Sequence, residues 1–129
     1  LCHAIAPQMA AREYGRIVNI SSIFGHVSRA KRIAYSTSKS ALIGLTRALA
    51  LDYAARNVLA NSLAPGIIDT ELTRSVLSAA ARAELIAAVP LGRMGNEEEI
   101  ARAAAFLASS ANSFITGQSI IADGGYTSA

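Results

Sequence analysis

The sequence predicts an α/β fold in which helices cover a parallel sheet. Short runs of β-branched and other apolar residues alternate with longer segments of helical periodicity. The short runs are mainly apolar, which is typical of strands buried on both faces of a parallel sheet. With 129 residues, of which 52% are hydrophobic, the chain has enough apolar material for one core, and no linker divides it.

The first half of the chain predicts a helix, a strand and a second helix. Residues 1–12 carry apolar side chains at roughly helical spacing, and a short β-branched strand follows over 16–20. Residues 21–31 contain glycine and several polar residues and predict a loop. Residues 34–55 keep helical periodicity without an interior proline, so we expect one long helix there.

The second half adds strands and helices in alternation, with helices predicted over 71–88 and 96–109 and strands over 57–63 and 119–122. Pro65 and Gly66 end the first of these strands. Asn96 caps the later helix, because three glutamates follow it in the first turn, where acidic groups favour the positive end of the helix dipole.

Charge and cysteine content exclude several functions. The net charge of +3 is spread along the chain, so neither nucleic acid nor a membrane surface is an expected partner. We interpret the one basic cluster as a solvated loop, with a site for an acidic substrate as the minor alternative; it comprises Arg29, Lys31 and Arg32. The single Cys2 fits a reducing, cytoplasmic setting, and no apolar run is long enough to span a bilayer. The chain begins without methionine or a leader, so we expect a longer parent protein.

Tyr35 and Lys39 form the first candidate for a chemical site. They lie four residues apart near the start of the predicted long helix, so their side chains share a face. A nearby ammonium favours the phenolate form of tyrosine, and a tyrosine tuned in this way can exchange protons near neutral pH. The spacing makes Tyr35 a candidate general acid or base, although such a pair alone also arises by chance.

Two loops at strand ends strengthen this candidate. Ser22 follows the strand over 16–20, and the loop over 65–70 follows the next strand with Pro65, Gly66 and the hydroxyl of Thr70. In open α/β sheets, ligands bind beyond the carboxyl ends of the strands. Each feature alone could be only a cap or a turn. Their joint occurrence with Tyr35 predicts one site at this edge.

These motifs resemble the short-chain dehydrogenase/reductase family, and specifically its group of 3-oxoacyl-acyl-carrier-protein reductases and related sugar and alcohol dehydrogenases. Ser22 ends a Gly-Arg-Ile-Val-Asn-Ile-Ser-Ser segment, and Tyr35 and Lys39 match the family's Tyr-x-x-x-Lys motif. Further segments similar to the family's signatures are Asn-Ser-Leu-Ala-Pro-Gly at 61–66, residues 90–95, Phe-Ile-Thr-Gly-Gln at 114–118 and Asp-Gly-Gly at 123–125.

The resemblance implies that residues 1–129 form a single partial domain, the C-terminal part of a Rossmann-like doubly wound parallel sheet with about three strands. It implies that Tyr35 exchanges a proton with a carbonyl or alcohol oxygen, that Ser22 hydrogen-bonds this oxygen, and that Lys39 favours the phenolate and holds the nicotinamide ribose. The residues implied to bind the cofactor are Tyr35, Lys39, Pro65, Gly66, Ile68 and Thr70. No metal is implied, and His3 and His26 match no catalytic position.

The family's glycine-rich phosphate-binding turn is absent from the chain. The resemblance therefore implies the catalytic half of an NAD(P)-dependent oxidoreductase, with the choice between NAD and NADP made in the other half. We expect the isolated chain to bind dinucleotides poorly and to show negligible turnover. We also expect its first strand to present an unpaired edge that invites aggregation or pairing with another chain.

For the substrate, the resemblance favours a 3-oxoacyl thioester on acyl carrier protein, with a sugar, polyol or other secondary alcohol as the alternative. Arg56 matches a position where carrier-protein reductases often have a docking arginine, whereas Glu13 stands where they prefer a second basic residue. A non-catalytic remnant that acts as an interaction module is a further alternative. Because the family is usually tetrameric or dimeric, the parent is expected to be a homotetramer or homodimer.

Overall fold

A computed structural model describes residues 1–129 and has three strands in one parallel sheet of order β1-β2-β3. The strands are β1 (Gly15–Ile20), β2 (Val58–Pro65) and β3 (Ser119–Ala122). The α-helices are α1 (Cys2–Ala11), α2 (Ile33–Tyr53), α3 (Glu71–Val76), α4 (Ala79–Ala87) and α5 (Glu97–Ala108). The predicted α/β class and the three strands are confirmed. No helix combines the length and the apolar character that crossing a lipid bilayer requires.

The central strand β2 forms the middle of the core. Its residues from Val58 to Ala64 are all buried, because β1 and β3 pair with its two edges and helices cover it. The prediction of strands buried on both faces is wrong for β1 and β3, which are mostly half-buried, and β1 ends at Ile20 with 46% exposure. The reason is that β1 and β3 each pair only with β2, so the other edge of each has no neighbouring strand in the chain.

Helices pack on both sides of β2. Ala60 forms a buried cluster with Ala6 of α1 and with Leu49 and Ala50 of α2. The next residue along the strand is Asn61, whose side chain bonds to the segment after α5. Because successive side chains of a strand point to opposite faces, α1 and α2 lie on one face and the segment after α5 on the other.

Two buried amides order this second segment, and that of Asn61 also holds it to the sheet. The Asn61 Nδ2 donates to the carbonyl of Ile115 at 2.7 Å, and its Oδ1 accepts from the backbone N–H of Gln118 at 3.1 Å. The Asn112 Nδ2 donates to the same Ile115 carbonyl at 3.0 Å and to the Leu107 carbonyl at 3.3 Å, while its Oδ1 accepts from Ile115 N–H at 2.9 Å. These bonds fix the approach of the chain to β3.

The prediction of one helix over 71–88 is wrong, because the chain forms α3 and α4 with a break between them. Leu77 has an extended backbone, and the Ser78 hydroxyl accepts a hydrogen bond from Ala81 N–H at 3.2 Å. Ser78 therefore acts as the N-cap of a new helix. The predicted cap at Asn96 is confirmed as a reciprocal capping box with Glu99.

Candidate functional site

Ser22 is held at the carboxyl end of β1 by the chain on either side of it. The backbone N–H of Ser21 donates to the carbonyl of Leu63 at 2.7 Å, so the chain continues alongside β2 after β1 ends. Ser22 is buried, and its hydroxyl accepts a hydrogen bond from Phe24 N–H at 3.2 Å, capping a short 3-10 helix over Ile23–Gly25. The predicted loop thus contains one ordered turn that orients Ser22.

Tyr35 and Lys39 lie in the first two turns of α2 beside this turn. The Lys39 Nζ lies 5.7 Å from the centroid of the Tyr35 ring and donates to the carbonyl of Ile20 at 3.0 Å. The Lys39 carbonyl accepts from the Ser21 hydroxyl at 3.0 Å, which ties α2 to the end of β1. The Tyr35 ring meets Phe24 edge-on at 6.3 Å and is 43% exposed. The ammonium is therefore anchored next to an accessible phenol.

Gly25 allows the turn to sit this close to α2. A β-carbon there would lie 2.9 Å from the Ser21 hydroxyl oxygen and 3.0 Å from the Lys39 carbonyl oxygen, so a neighbouring group would have to shift. The Gly25 carbonyl also accepts from the Ser40 hydroxyl at 2.9 Å. From sequence, Gly25 indicated only a loop, since its contact with α2 depends on the tertiary fold.

One cleft of about 350 Å³ brings four of the predicted site residues together, namely Ser22, Tyr35, Gly66 and Ile68. Leu72 and Val76 of α3 and Leu85 of α4 contribute apolar wall, so the break between these helices shapes the cleft. Lys39, Pro65 and Thr70 do not line it. Phe24, Arg29, Arg32 and Tyr126 also line it. The sequence suggested the two arginines only as the minor alternative of a site for an acidic substrate, and it did not mark Phe24 or Tyr126.

The loop after β2 is packed tightly against the end of β3. Gly66 N–H donates to the Ala122 carbonyl at 2.9 Å, and a β-carbon at Gly66 would lie 2.6 Å from the α-carbon of Asp123. Further along, Ile67 and Asp69 bond to Gly95 through their backbones. The Ile68 carbonyl accepts from the Thr73 hydroxyl at 2.9 Å, whereas its N–H has no acceptor within the chain. Ile68 thus offers an unpaired donor at the cleft.

Thr70 and Asp69 fasten this loop to the helices that follow. The Thr70 hydroxyl accepts from Thr73 N–H at 3.1 Å as the N-cap of α3, so it is already engaged within the chain. Asp69 forms ion pairs with Arg82 at 2.9 Å and Arg74 at 3.4 Å. The close ion pair with Arg82, together with the positive charge of Arg74, lowers the pKa of Asp69.

The C-terminal turn after β3 closes the site from the side of Gly66. The carboxylate of Asp123 accepts from Gly125 N–H at 2.9 Å, from Thr127 N–H at 2.8 Å and from the Thr127 hydroxyl at 2.7 Å. Partial burial on its own raises the pKa of Asp123, but the hydrogen bonds from Thr127 and Gly125 outweigh it, and the pKa is lowered. This turn carries Tyr126 into the cleft lining.

The structure bears on two predictions about surface residues, the docking arginine Arg56 and the basic cluster. Arg56 lies 3.5 Å from the carboxylate of Glu13, so the arginine at the possible docking position is paired with an acid. In the basic cluster, all three side chains are exposed, but Arg29 and Arg32 also line the cleft beside Tyr35. The interpretation of a merely solvated loop is therefore incomplete for these two arginines.

Residues 1–127 match the family model described as enoyl-(acyl carrier protein) reductase. With this match and the arrangement of Ser22, Tyr35 and Lys39, the chain belongs to the short-chain dehydrogenase/reductase family.

Individual relatives within the family differ in the substrate that their names give. The chain is 40% identical to a 3-oxoacyl-[acyl-carrier-protein] reductase of Chlamydia pneumoniae over 98% of this chain and 50% of that protein. It is 46% identical to a cis-4-hydroxycyclohexanecarboxylate dehydrogenase of Sinomonas cyclohexanicum, over 97% of this chain and 49% of that protein. The chain therefore spans about half the length of these curated relatives.

A solved structure supports the same grouping. The fold matches a gluconate 5-dehydrogenase from Burkholderia cenocepacia, crystallised with NADP and tartrate, with a TM-score of 0.92 and 41% identity. The match covers 99% of this chain and 51% of that one. The predicted Rossmann-like architecture is confirmed by this agreement.

Proposed function

We propose that the protein to which this chain belongs is an NAD(P)-dependent oxidoreductase that interconverts a carbonyl compound and a secondary alcohol. The observation that carries the proposal is the shared cleft of Ser22 and Tyr35, with the Lys39 ammonium 5.7 Å from the Tyr35 ring. Homology also supports it, because similar proteins are named as reductases and dehydrogenases.

The roles of the three side chains follow from their chemistry. During reduction, Tyr35 donates its phenolic proton to the carbonyl oxygen as this oxygen gains negative charge. The Ser22 hydroxyl donates a hydrogen bond to the same oxygen and stabilises the charge that develops there. Lys39 stabilises the resulting phenolate by its positive charge. In the direction of oxidation, Tyr35 accepts the proton of the alcohol instead.

The chain fits the nicotinamide end of a dinucleotide through the cleft-lining loop after β2. A carboxamide needs a donor for its carbonyl, and the unpaired N–H of Ile68 supplies one. Position 66 has no room for a side chain, because a β-carbon at Gly66 would collide with Asp123. Lys39 would hold ribose hydroxyls, with Pro65 and Thr70 shaping the loop. When bound, the nicotinamide supplies or accepts the hydride.

The substrate belongs to one of two classes. A 3-oxoacyl thioester is favoured by the names of several curated relatives, including acetoacetyl-CoA reductases. An alcohol or ketone that carries a carboxylate is favoured by two arginines in the cleft lining and by the names of two other relatives. The ion pair between Glu13 and Arg56 weakens the case for docking an acidic carrier at that position.

Hydride transfer by the full-length protein tests the proposal. We expect oxidation of NADH or NADPH when acetoacetyl-CoA or a compact ketone is added, and a large loss of rate in Ser22→Ala. Arg47→Gln, which changes an exposed residue on the far part of α2, is the control and should keep the rate. Absence of hydride transfer with either cofactor and every substrate would favour the non-catalytic interaction module instead.

We also propose a cytoplasmic location and a homodimeric or homotetrameric assembly. A single cysteine at position 2 suits a reducing compartment. Strand β1 is half-buried, and the apolar side chains of Leu1, Ile33 and Leu51 are exposed. Contact with another subunit or with the other half of the protein would bury this apolar surface. Size-exclusion chromatography with light scattering on the full-length protein measures the assembly directly.

A further inference from the structure

We infer that Arg29 and Arg32 bind a carboxylate of the substrate at the mouth of the cleft. The inference rests on the proposed function and names the substrate class: a compact oxo or hydroxy acid, whose reacting oxygen meets Ser22 and Tyr35 while its anionic group meets the arginines. The observation behind it is that both arginines line the same cleft as the candidate catalytic residues Ser22 and Tyr35.

The first support is that these two guanidinium groups have no ion-pair or hydrogen-bond partner in the chain. Neither Arg29 nor Arg32 takes part in an ion pair or a side-chain hydrogen bond. Every other arginine except Arg47 pairs with a carboxylate or a carbonyl, for example Arg93 with Glu99 and Arg16 with the Asn112 carbonyl. The donors of Arg29 and Arg32 are thus available to a ligand.

The second support is the sign of the charge around the cleft. No aspartate or glutamate lines it, so nothing in its wall competes for the arginines or repels an anion. Arg32 is also the residue that precedes α2, and it provides no side-chain cap. The first turn of this 21-residue helix contains no acidic residue, so its positive dipole end adds to the field.

The third support is distance, which favours a small acid over a carrier-bound thioester. The Arg29 guanidinium carbon lies 6.0 Å from the centroid of the Phe24 ring, and this ring lies 6.3 Å from that of Tyr35. The gap between the guanidinium carbon and the Tyr35 ring is therefore no longer than these two distances laid end to end. A carboxylate a few bonds from the reacting carbon spans this gap, whereas the phosphate of a pantetheine arm lies many bonds farther from its thioester carbonyl.

Ligand binding to the full-length protein tests the inference. The probes are acetoacetate, levulinate and 4-oxocyclohexanecarboxylate, each compared with its methyl ester, and acetoacetyl-CoA as the phosphate-bearing ketone. Calorimetry in the presence of oxidised cofactor gives affinities without turnover. We expect at least one carboxylate to bind about tenfold more tightly than its ester, and Arg29→Gln and Arg32→Gln to remove most of this difference.

Lys31→Gln is the matched control, because it removes the same charge from the same loop at a residue that does not line the cleft. It should keep the preference for the carboxylate. Equal binding of all acids and esters, or an equal loss in Lys31→Gln, would overturn the inference. A loss in the arginine variants confined to acetoacetyl-CoA would also overturn it and assign the arginines to the phosphate. If the carboxylate preference is present but no ketone is reduced, the proposed function fails and the anion site stands.

Discussion

Polar side chains lie both where β2 meets the segment after α5 and at the start of α2 with the loop before it, but their hydrogen bonding differs. Asn61 and Asn112 are at most 1% exposed, and both ends of each amide are hydrogen-bonded. Tyr35 and Arg29, by contrast, are exposed at the cleft, and their polar ends have no partner in the chain.

This difference separates groups that stabilise the fold from groups that are available for chemistry. A buried amide without partners costs free energy, so its bonds must be complete in the folded chain. A phenol or a guanidinium that is already satisfied internally would have to break bonds before it could meet a ligand. Substitutions in the two regions should therefore affect different quantities.

Tyr35→Phe tests the cleft side of the comparison and has the largest expected effect. It removes the proton donor while keeping the ring packed on Phe24, so kcat of the full-length protein should fall by about two to four orders of magnitude. The free energy of unfolding should stay within about 0.5 kcal/mol, because the hydroxyl makes no bond in the chain. An unchanged kcat would remove Tyr35 from the mechanism.

Asn112→Ala tests the buried side. It removes the acceptor of the Ile115 N–H and the donor to the Leu107 carbonyl, so we expect about 2–4 kcal/mol lower unfolding free energy. Urea unfolding of the full-length protein measures this. Gln118→Ala in the same segment is the control, since its side chain is exposed and makes one bond to the Thr116 carbonyl. Equal losses in both variants would contradict a special role for the buried amide.

Gly66→Ala acts where the two regions meet. The added β-carbon would collide with the α- and β-carbons of Asp123, and backbone there cannot move as freely as a side-chain tip. We expect a loss of about 1–3 kcal/mol in unfolding free energy, together with weaker cofactor binding, because the loop carrying Ile68 shifts. Gly44→Ala is the control, since nothing lies near its β-position. A stable variant with unaltered cofactor affinity would show that this contact does not set the loop.

Local signals in the sequence were sufficient for most elements and for the association of Ser22 with Tyr35. Strand runs, the cap at Asn96 and the four-residue spacing to Lys39 depend on neighbours in the chain, and the structure has all of them. The break at Ser78 escaped prediction because the apolar residues on both sides of it keep helical spacing, and only a local cap divides the two helices.

Other features depend on contacts between distant segments. The exposure of β1 depends on which strand lies beside it, and no pattern within β1 carries that information. The cleft position of Arg29 depends on the packing of Phe24 against α2, which the composition of the loop cannot specify. The buried amide of Asn61 likewise has its hydrogen-bond partners in a distant segment, at Ile115 and Gln118.

The ion pair between Arg93 and Glu99 gives the smallest expected effect and sharpens the contrast with the unpaired Arg29. Two hydrogen bonds from Arg93, at 2.6 and 3.0 Å, and one from Asn96 N–H lower the pKa of Glu99 to about 2. Because this pKa lies below the ordinary value of 4.5, the stabilisation is complete above that pH and is lost as the pH falls toward 2. Glu99→Gln should flatten the acid limb of unfolding free energy against pH in this window and leave the neutral-pH preference for carboxylates unchanged. Glu98→Gln changes the same charge on the same helix in a more exposed pair with Arg102, so a matching change in both variants would assign the effect to net charge rather than to the Arg93 pair.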